Sequence, residues 1–294
     1  MKIAIFGNPG KETIIEAVNN FTNLLFKRKI DFVISEDLRF VLSSLNLHSE
    51  LFVDKLSLVD SNVIFTFGGD GTMLSAGRLF AGYDIPIVGI NLGRLGFLAE
   101  FSLESLDITI DEFLAGTYKT VKRTLLSARF PGLNETENLI ALNDIVIDKR
   151  EEALMLQIET YINGDYIGVY NSDGLIIATP TGSTAYSLAV GGPVIEPSSK
   201  VFVIAPIAPH MLTARPLVVS DTSLLSIKVV NSKSVGSISV YADGQEKRTI
   251  RFGDEILINK YEKSVYLVKS PQVTYWDVLR AKLLWGREPI LNRI

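Results

Sequence analysis

The chain has 294 residues, 47% apolar and 21% charged, with no cysteine and a net charge of −4 at pH 7. That is ordinary globular usage with material for more than one core, and it excludes disulfides, thiolate metal sites and cysteine nucleophiles. With only His48 and His210 a multi-histidine metal centre is excluded too, and the acidic balance argues against nucleic acid or membrane as a partner. The first apolar run, residues 3–6, is shorter than the roughly 7–15 residues of a secretory segment. Residues 201–209 carry two prolines and reach about half a membrane span at best. A soluble, cytoplasmic protein is expected, and the lack of cysteine fits a reducing compartment.

The first 115 or so residues alternate strand and helix. Residues 2–6 read as an apolar strand ending at Gly7-Asn8-Pro9-Gly10, and 13–29 carry Ile14, Val18, Phe21, Leu24 and Leu25 at helical spacing. A strand follows at 32–34. Residues 37–45 offer Leu38, Val41, Leu42 and Leu45 to one helical face. Strands at 63–67 and 86–90 flank a helix at 72–80, and a short helix at 111–115 stops at Gly116. Near-continuous apolar strands alternating with helices predict a parallel sheet covered on both faces.

From about residue 118 the strands crowd together. Asn163-Gly164 separates 155–162 from 166–170, and Asp243-Gly244 separates 237–242 from 245–251; both dipeptides suit tight hairpin turns. This half is expected to be mostly antiparallel β, with one or two helical turns at 183–190. The tail, 274–285, looks helical, with Trp276, Leu279, Leu283 and Leu284 as its apolar side.

Four stretches carry chemistry. Gly68-Gly69-Asp70-Gly71-Thr72 directly follows a strand, where parallel strands present ligand sites at their carboxyl edge. Glycine N–H groups and a helix start suit phosphate. A carboxylate beside a phosphate needs either a bridging metal or a nucleophile's proton to accept, and both roles serve phosphoryl transfer. The plainer reading is that Asp70 caps the next helix. Asn91-Leu92-Gly93-Arg94-Leu95-Gly96-Phe97 lies at the same edge if both strands are parallel; Phe97 is placed to pack on a flat base, or is a buried loop residue.

The run 173–187, ending in Gly191-Gly192-Pro193, is rich in hydroxyls and glycines and suits a sugar, base or phosphate. A serine hydrolase fails on detail, because Gly182-Ser183-Thr184-Ala185 lacks the second glycine of a nucleophile elbow. His210, the one candidate base in this half, reads more simply as a solvated or capping residue. Asn143-Asp144 interrupts the apolar strand 141–147, where consecutive side chains point to opposite faces. An amide beside a carboxylate suits ribose hydroxyls or an adenine edge; a surface pair on an edge strand is the alternative. Gly7–Glu12 is too short for a Walker loop, and no G-x-G-x-x-G follows the first strand, so neither a P-loop enzyme nor a standard dinucleotide dehydrogenase is supported.

Together these stretches resemble the NAD kinase (ATP–NAD kinase) family over roughly residues 63–216, and the tail 279–286 is similar as well. The glycine–aspartate turn alone is shared with diacylglycerol and sphingosine kinases and in part with phosphofructokinases. The run 173–193 is far more specific, and 206–216, with His210 and Arg215-Pro216, is also similar. The resemblance implies an α/β N-terminal domain over 1–118, its parallel sheet flanked by helices, with 272–294 packing back on it. It implies an all-β, sandwich-like, NAD-binding domain over 119–271, and an active site between the two. It implies phosphoryl transfer from ATP, or another donor, with a divalent cation such as Mg²⁺, to the 2′-hydroxyl of the adenosine ribose of NAD, yielding NADP.

On that resemblance Asp70 matches the proton acceptor, Gly71 the adjacent NAD contact, and Asn143 and Asp144 the pair that holds NAD. Gly68, Gly69 and Thr72 belong to the phosphate cradle. Asn171 and Asp173 match ligand positions; Thr181, Thr184, Ala185, Tyr186, Ser187, Leu188 and Ala189 line the NAD site; Ala208 and Gln245 are weaker matches. Position 171 is often basic in relatives and is Asn here, while Arg94 stands where variation is expected. No metal ligand is assigned to the chain. Relatives form dimers or tetramers, so a homodimer or homotetramer is expected. The rival readings are a lipid kinase using the same turn and a non-catalytic NAD-sensing module.

Overall fold

The structure, a computed structural model, describes residues 1–93, 96–133, 138–149, 155–230 and 237–285. Arg94 and Gly286 lie outside the described residues. The chain divides into two compact units, one made of Met1–Val121 with the chain from Tyr266 onward, the other of Lys122–Val265.

In the first unit the strands are β1 (Lys2–Gly7), β2 (Asp31–Ser35), β3 (Phe52–Val53), β4 (Val63–Gly68) and β5 (Pro86–Asn91). They pair in parallel in the order β5-β4-β1-β2-β3. Helix α1 (Ile14–Lys27) buries Ile14, Ala17, Val18, Phe21 and Leu25, the face its spacing predicts. α2 (Asp70–Leu79) starts two residues before the predicted 72. α3 (Leu106–Ala115) is longer than the predicted 111–115, because Leu106, Thr109, Ile110 and Phe113 continue one buried face through a β-branched run; it stops at Gly116, whose φ of +67° costs glycine nothing.

The helical face expected over 37–45 is not a regular helix. A 3₁₀ turn, Glu36–Leu38, passes into turns whose bonds alternate between Leu42 N–H to Leu38 O and Leu45 N–H to Leu42 O, so Leu38 and Leu42 are buried while Phe40 is exposed. Phe21, Phe65 and Phe67 pack together at the centre of this unit's core.

The second unit holds β6 (Lys119–Arg129), β7 (Leu139–Ala141), β8 (Asp144–Asp148), β9 (Leu156–Ile162), β10 (Asp165–Ser172), β11 (Gly174–Ala178), β12 (Val201–Ile207), β13 (Leu217–Ser220), β14 (Leu225–Val229), β15 (Ser237–Ala242), β16 (Glu246–Arg251) and the long β17 (Glu255–Lys269). One antiparallel sheet runs β13-β12-β11-β8-β15-β16, and a second runs β10-β9-β14-β17. Ile147, Ile177, Phe202 and Val240 of the first sheet meet Ile158, Ile227 and Ile256 of the second in one buried core, so the unit is a β-sandwich. Both predicted hairpins form, with Asn163 at φ +54° and Asp243 at φ +52°. β17 is a strand of both units: it pairs antiparallel with β14 through its first residues, and its Tyr266 and Leu267 pair in parallel with Pro86 and Ile87 of β5.

Two further expectations are corrected and one is met. The strand predicted over 141–147 is two strands, because the chain bends at Leu142-Asn143, so the argument from opposite faces does not apply. The helical turns expected at 183–190 form, as a 3₁₀ turn, Gly182–Thr184, and the four-residue α4 (Tyr186–Ala189), separated at Ala185, whose φ of −100° and ψ of −129° are not helical. The tail helix is α5 (Tyr275–Leu283), opened by a capping box between Thr274 and Asp277. It buries Val278 and Leu279, whereas Trp276 and Leu284 are exposed, Leu284 because the helix has already ended in its left-handed turn. No helix among the described residues is long and apolar enough to cross a membrane.

Phe67, fully buried one residue before the Gly68-Gly69-Asp70 stretch, anchors the end of β4. Truncation to Ala removes a buried aromatic and leaves a cavity, so Phe67→Ala is expected to cost about 3–5 kcal/mol, read as a lowered urea midpoint.

Candidate active site

β4 passes into α2 almost without a turn. Gly68 ends the strand, Gly69 is the extended N-cap residue, and Asp70 is the first helical residue. A Cβ on Gly68 would fall on the Thr72 hydroxyl, so only glycine admits this close approach, and the Thr72 and Met73 N–H groups both donate to Gly69 O. Thr72 is thus packed into the junction itself.

Asp70 does not cap its own helix. Its carboxylate accepts the Phe97 N–H on Oδ2 at 2.8 Å and the Leu98 and Ala99 N–H groups on Oδ1 at 2.9 and 3.2 Å. β4 and β5 are parallel neighbours, so both glycine-rich stretches leave the same carboxyl edge as expected, and Leu92 N–H ties the second to Gly68 O. A Cβ on Gly96 would occupy the place of the Asp70 carboxylate. Phe97 is half-buried beside it.

In the second unit a pocket of about 270 Å³ is lined by Asn143, Asp144, Asp148, Ala185, Tyr186 and Asp243, among others. Its floor is the bend that interrupts the predicted strand. The Asp243 carboxylate accepts N–H groups from Leu142 at 3.1 Å, Asn143 at 2.7 Å and Asp144 at 3.3 Å. In return Asp243 N–H donates to Asp144 O, while Thr179 donates through its hydroxyl to Leu142 O and through its N–H to Asn143 O. The bend therefore has its donors and acceptors met away from any strand ladder, which is why it breaks the strand. Asp243 reads from sequence only as a turn residue; nothing local announces its reach to a bend 100 residues earlier.

Asp144 itself is 4% exposed. Burial pushes its carboxyl up to about 7; the Asp243 charge adds to the rise, and a hydrogen bond from the Tyr186 backbone N–H opposes it. Asn143, Asp144, Ala185 and Tyr186 are thus brought together, with Thr181 and Ser187 buried and Thr184, Leu188 and Ala189 on the same short run. A Cβ on Gly182 would strike the Asn143 backbone, which presses the hydroxyl-rich run against the bend.

Asn171, Asp173, Ala208 and Gln245 are not in that pocket's lining. Asp173 pairs with Lys149 at 2.5 Å, Asn171 O accepts the His210 N–H, Ala208 sits at φ +43° after β12, and Gln245 is exposed in the Asp243-Gly244 hairpin. Ser183 is fully buried, donating to Pro180 O and accepting from Ile195 N–H, so it holds the loop and is no nucleophile.

Residues 3–118 match the ATP-NAD kinase N-terminal domain, and residues 142–270 match the ATP-NAD kinase C-terminal domain. The chain belongs to the ATP-NAD kinase family. Within that family, the NAD kinase of Chlorobaculum tepidum is 39% identical over 290 residues, 98% of each chain. The NAD kinase of Bacteroides fragilis is 38% identical over 292 residues, 98% of this chain and 99% of that one. Among solved structures, an NAD kinase from Archaeoglobus fulgidus in complex with ATP superposes with a TM-score of 0.72 at 26% identity, covering 95% of this chain and 99% of that one. Yeast NADH kinase complexed with NADH shares the fold, with a TM-score of 0.88 at 24% identity over 100% of this chain and 90% of that one.

The raised Asp144 has a consequence for stability. A carboxyl pushed up on folding favours the folded state while protonated, and the penalty grows as pH climbs from the ordinary carboxylate range to about 7. Asp144→Asn is therefore expected to raise the calorimetric melting temperature at about pH 8 and to change it little at about pH 4.

Proposed function

We propose that the protein transfers the terminal phosphoryl group of ATP to the 2′-hydroxyl of the adenosine ribose of NAD, producing NADP. The family match over both domains supports the reaction, and the ATP complex of the Archaeoglobus fulgidus relative supports the donor. The observation that carries the mechanism is Asp70, a carboxylate at the carboxyl edge of a parallel sheet with its orientation fixed by three backbone donors.

In this reading the ribose 2′-O–H proton passes to Asp70. The oxygen forms its bond to the terminal phosphorus as the bridging P–O bond breaks, and ADP leaves with the bonding pair. The Gly68-Gly69-Asp70-Gly71 stretch receives the donor phosphates beside the N-terminal turn of α2. Asn143 and Asp144 hold NAD, an amide and a carboxylate between them offering donors and acceptors to hydroxyls and a base edge. The run from Thr181 to Ala189 lines the same ligand.

Among the described residues no three His, Cys, Asp or Glu side chains converge to hold a cation. With no preformed cage among those residues, a divalent cation such as Mg²⁺ would be held by the donor's phosphates and would supply charge neutralisation there. The first unit is the domain that carries Asp70, and the second the NAD-binding domain. The protein works in the cytoplasm and self-associates as a homodimer or homotetramer, a reading supported by exposed Tyr166, Ile167, Met211 and Leu212 on the second unit. The hydroxyl-rich run within the C-terminal family match argues against a lipid substrate.

Incubating the purified protein with NAD, ATP and Mg²⁺ is expected to yield NADP; phosphorylated diacylglycerol, or nucleotide binding without product, would overturn the reading. Asp70→Asn is expected to lower kcat by about 10²–10⁴-fold while NAD still binds, by calorimetric titration. NAD offers its donors to the ionised form of Asp144, so its KM is expected to fall as pH rises toward 8. Well below the midpoint the change approaches roughly tenfold per pH unit, and Asp144→Asn should flatten it.

A further inference from the structure

We propose that the ion pair between buried Glu100 and half-buried Lys269 is a positioning device for Asp70, holding residues 97–99 so that one acceptor site on Asp70 Oδ2 stays open for the hydroxyl proton. The inference rests on the reading of Asp70 as proton acceptor. An ionised carboxylate offers about four lone-pair sites. Leu98 and Ala99 N–H groups take two on Oδ1, and Phe97 N–H takes one on Oδ2. The remaining site is on Oδ2, and its direction depends on where the three donors stand.

The donors stand where Glu100 and Phe101 put them. Glu100 follows Ala99 directly and is 8% exposed; its Oε1 pairs with the Lys269 ammonium and its Oε2 accepts the Ser270 N–H at 3.3 Å. Phe101 is stitched to β5, donating to Gly89 O and accepting from Asn91 N–H. A Cβ on Gly89 would meet the Ala99 Cα, so the segment also lies tight on β5 at the donor itself. Lys269 ends β17, fixed two residues earlier by the pairing of Leu267 with Ile87.

A purely structural role would be served as well by apolar side chains of similar volume, since desolvating two charges costs as much as their attraction returns. What the charges add is one definite geometry at a point a single residue from the Asp70 donors. Burial also pushes the Lys269 ammonium down to about 8.

The test measures kcat, KM for NAD and ATP, and melting temperature on the full chain for Glu100→Gln, the double variant Glu100→Gln/Lys269→Met, Lys269→Arg and Asp70→Asn. The double variant removes both charges and leaves no orphan. It is expected to lose kcat by about 10²-fold, the scale of an ångström misplacement, with each KM within about twofold and the melting temperature near the parent's. Lys269→Arg, which keeps the pair, is expected to retain most of kcat. Should the double variant not fold, Glu100→Gln alone is expected to show the same loss of kcat with each KM within about twofold, though with a lowered melting temperature because Lys269 is left without its partner. The proposal is overturned if kcat survives in the uncharged variant, if the loss falls on KM instead, or if Lys269→Arg loses as much. An active Asp70→Asn would sink the proton-acceptor reading and this inference with it. A dead Asp70→Asn beside an active uncharged pair would sink only the ion pair's role.

Discussion

Three consecutive backbone N–H groups converge on the Asp70 carboxylate, and much of the first unit's local design follows from making that convergence possible. The carboxylate must reach across from the start of α2 to the segment after β5, so Gly96 has to be without a side chain. The strand must pass into the helix with hardly a turn, so Gly68 has to admit Thr72. The receiving segment must lie flat on β5, so Gly89 has to admit Ala99. Ion–dipole hydrogen bonds of this kind are roughly twice as strong as neutral ones, which suits a carboxylate whose direction matters.

The second unit repeats the device with a different carboxylate. Asp243 grips the N–H groups of Leu142, Asn143 and Asp144 much as Asp70 grips those of Phe97, Leu98 and Ala99. In each unit an aspartate at a tight junction immobilises a bend far away in sequence, and in each the bend lies at the candidate ligand surface. The difference is Asp144. It is buried next to the gripping carboxylate and is held up near neutral pH, a state that weakens the empty protein and suits it to a ligand bearing donors.

Much of this was legible in the sequence because it depends on short-range pattern. The apolar runs ending at Gly7, Gly68 and Asn91 marked the parallel strands, the Asn163-Gly164 and Asp243-Gly244 dipeptides marked hairpins, and the density of glycine, hydroxyl and acid marked the loops. What escaped depends on partners remote in the chain. The helical spacing at 37–45 gave no sign that its turns would alternate in pitch. The apolar run 141–147 concealed a bend enforced by Asp243. Trp276 looked like core because it is large, apolar and three residues before Leu279, yet the helix buries Val278 and Leu279 and leaves it exposed. Glu100, one acidic residue in a loop, carried no signal that its counter-ion waits at Lys269.

β17 places a constraint on the order of events during synthesis. The parallel sheet of the first unit gains its last strand only when Tyr266 and Leu267 pair with Pro86 and Ile87, and Glu100 gains its counter-ion only two residues later. A domain encoded first would ordinarily fold first as it leaves the ribosome. Here residues 1–121 are left with a sheet edge unclosed and a buried acid unneutralised until the segment that follows the whole second unit has been made. The first unit is thus completed only after the second has been made, which couples the folding of the two.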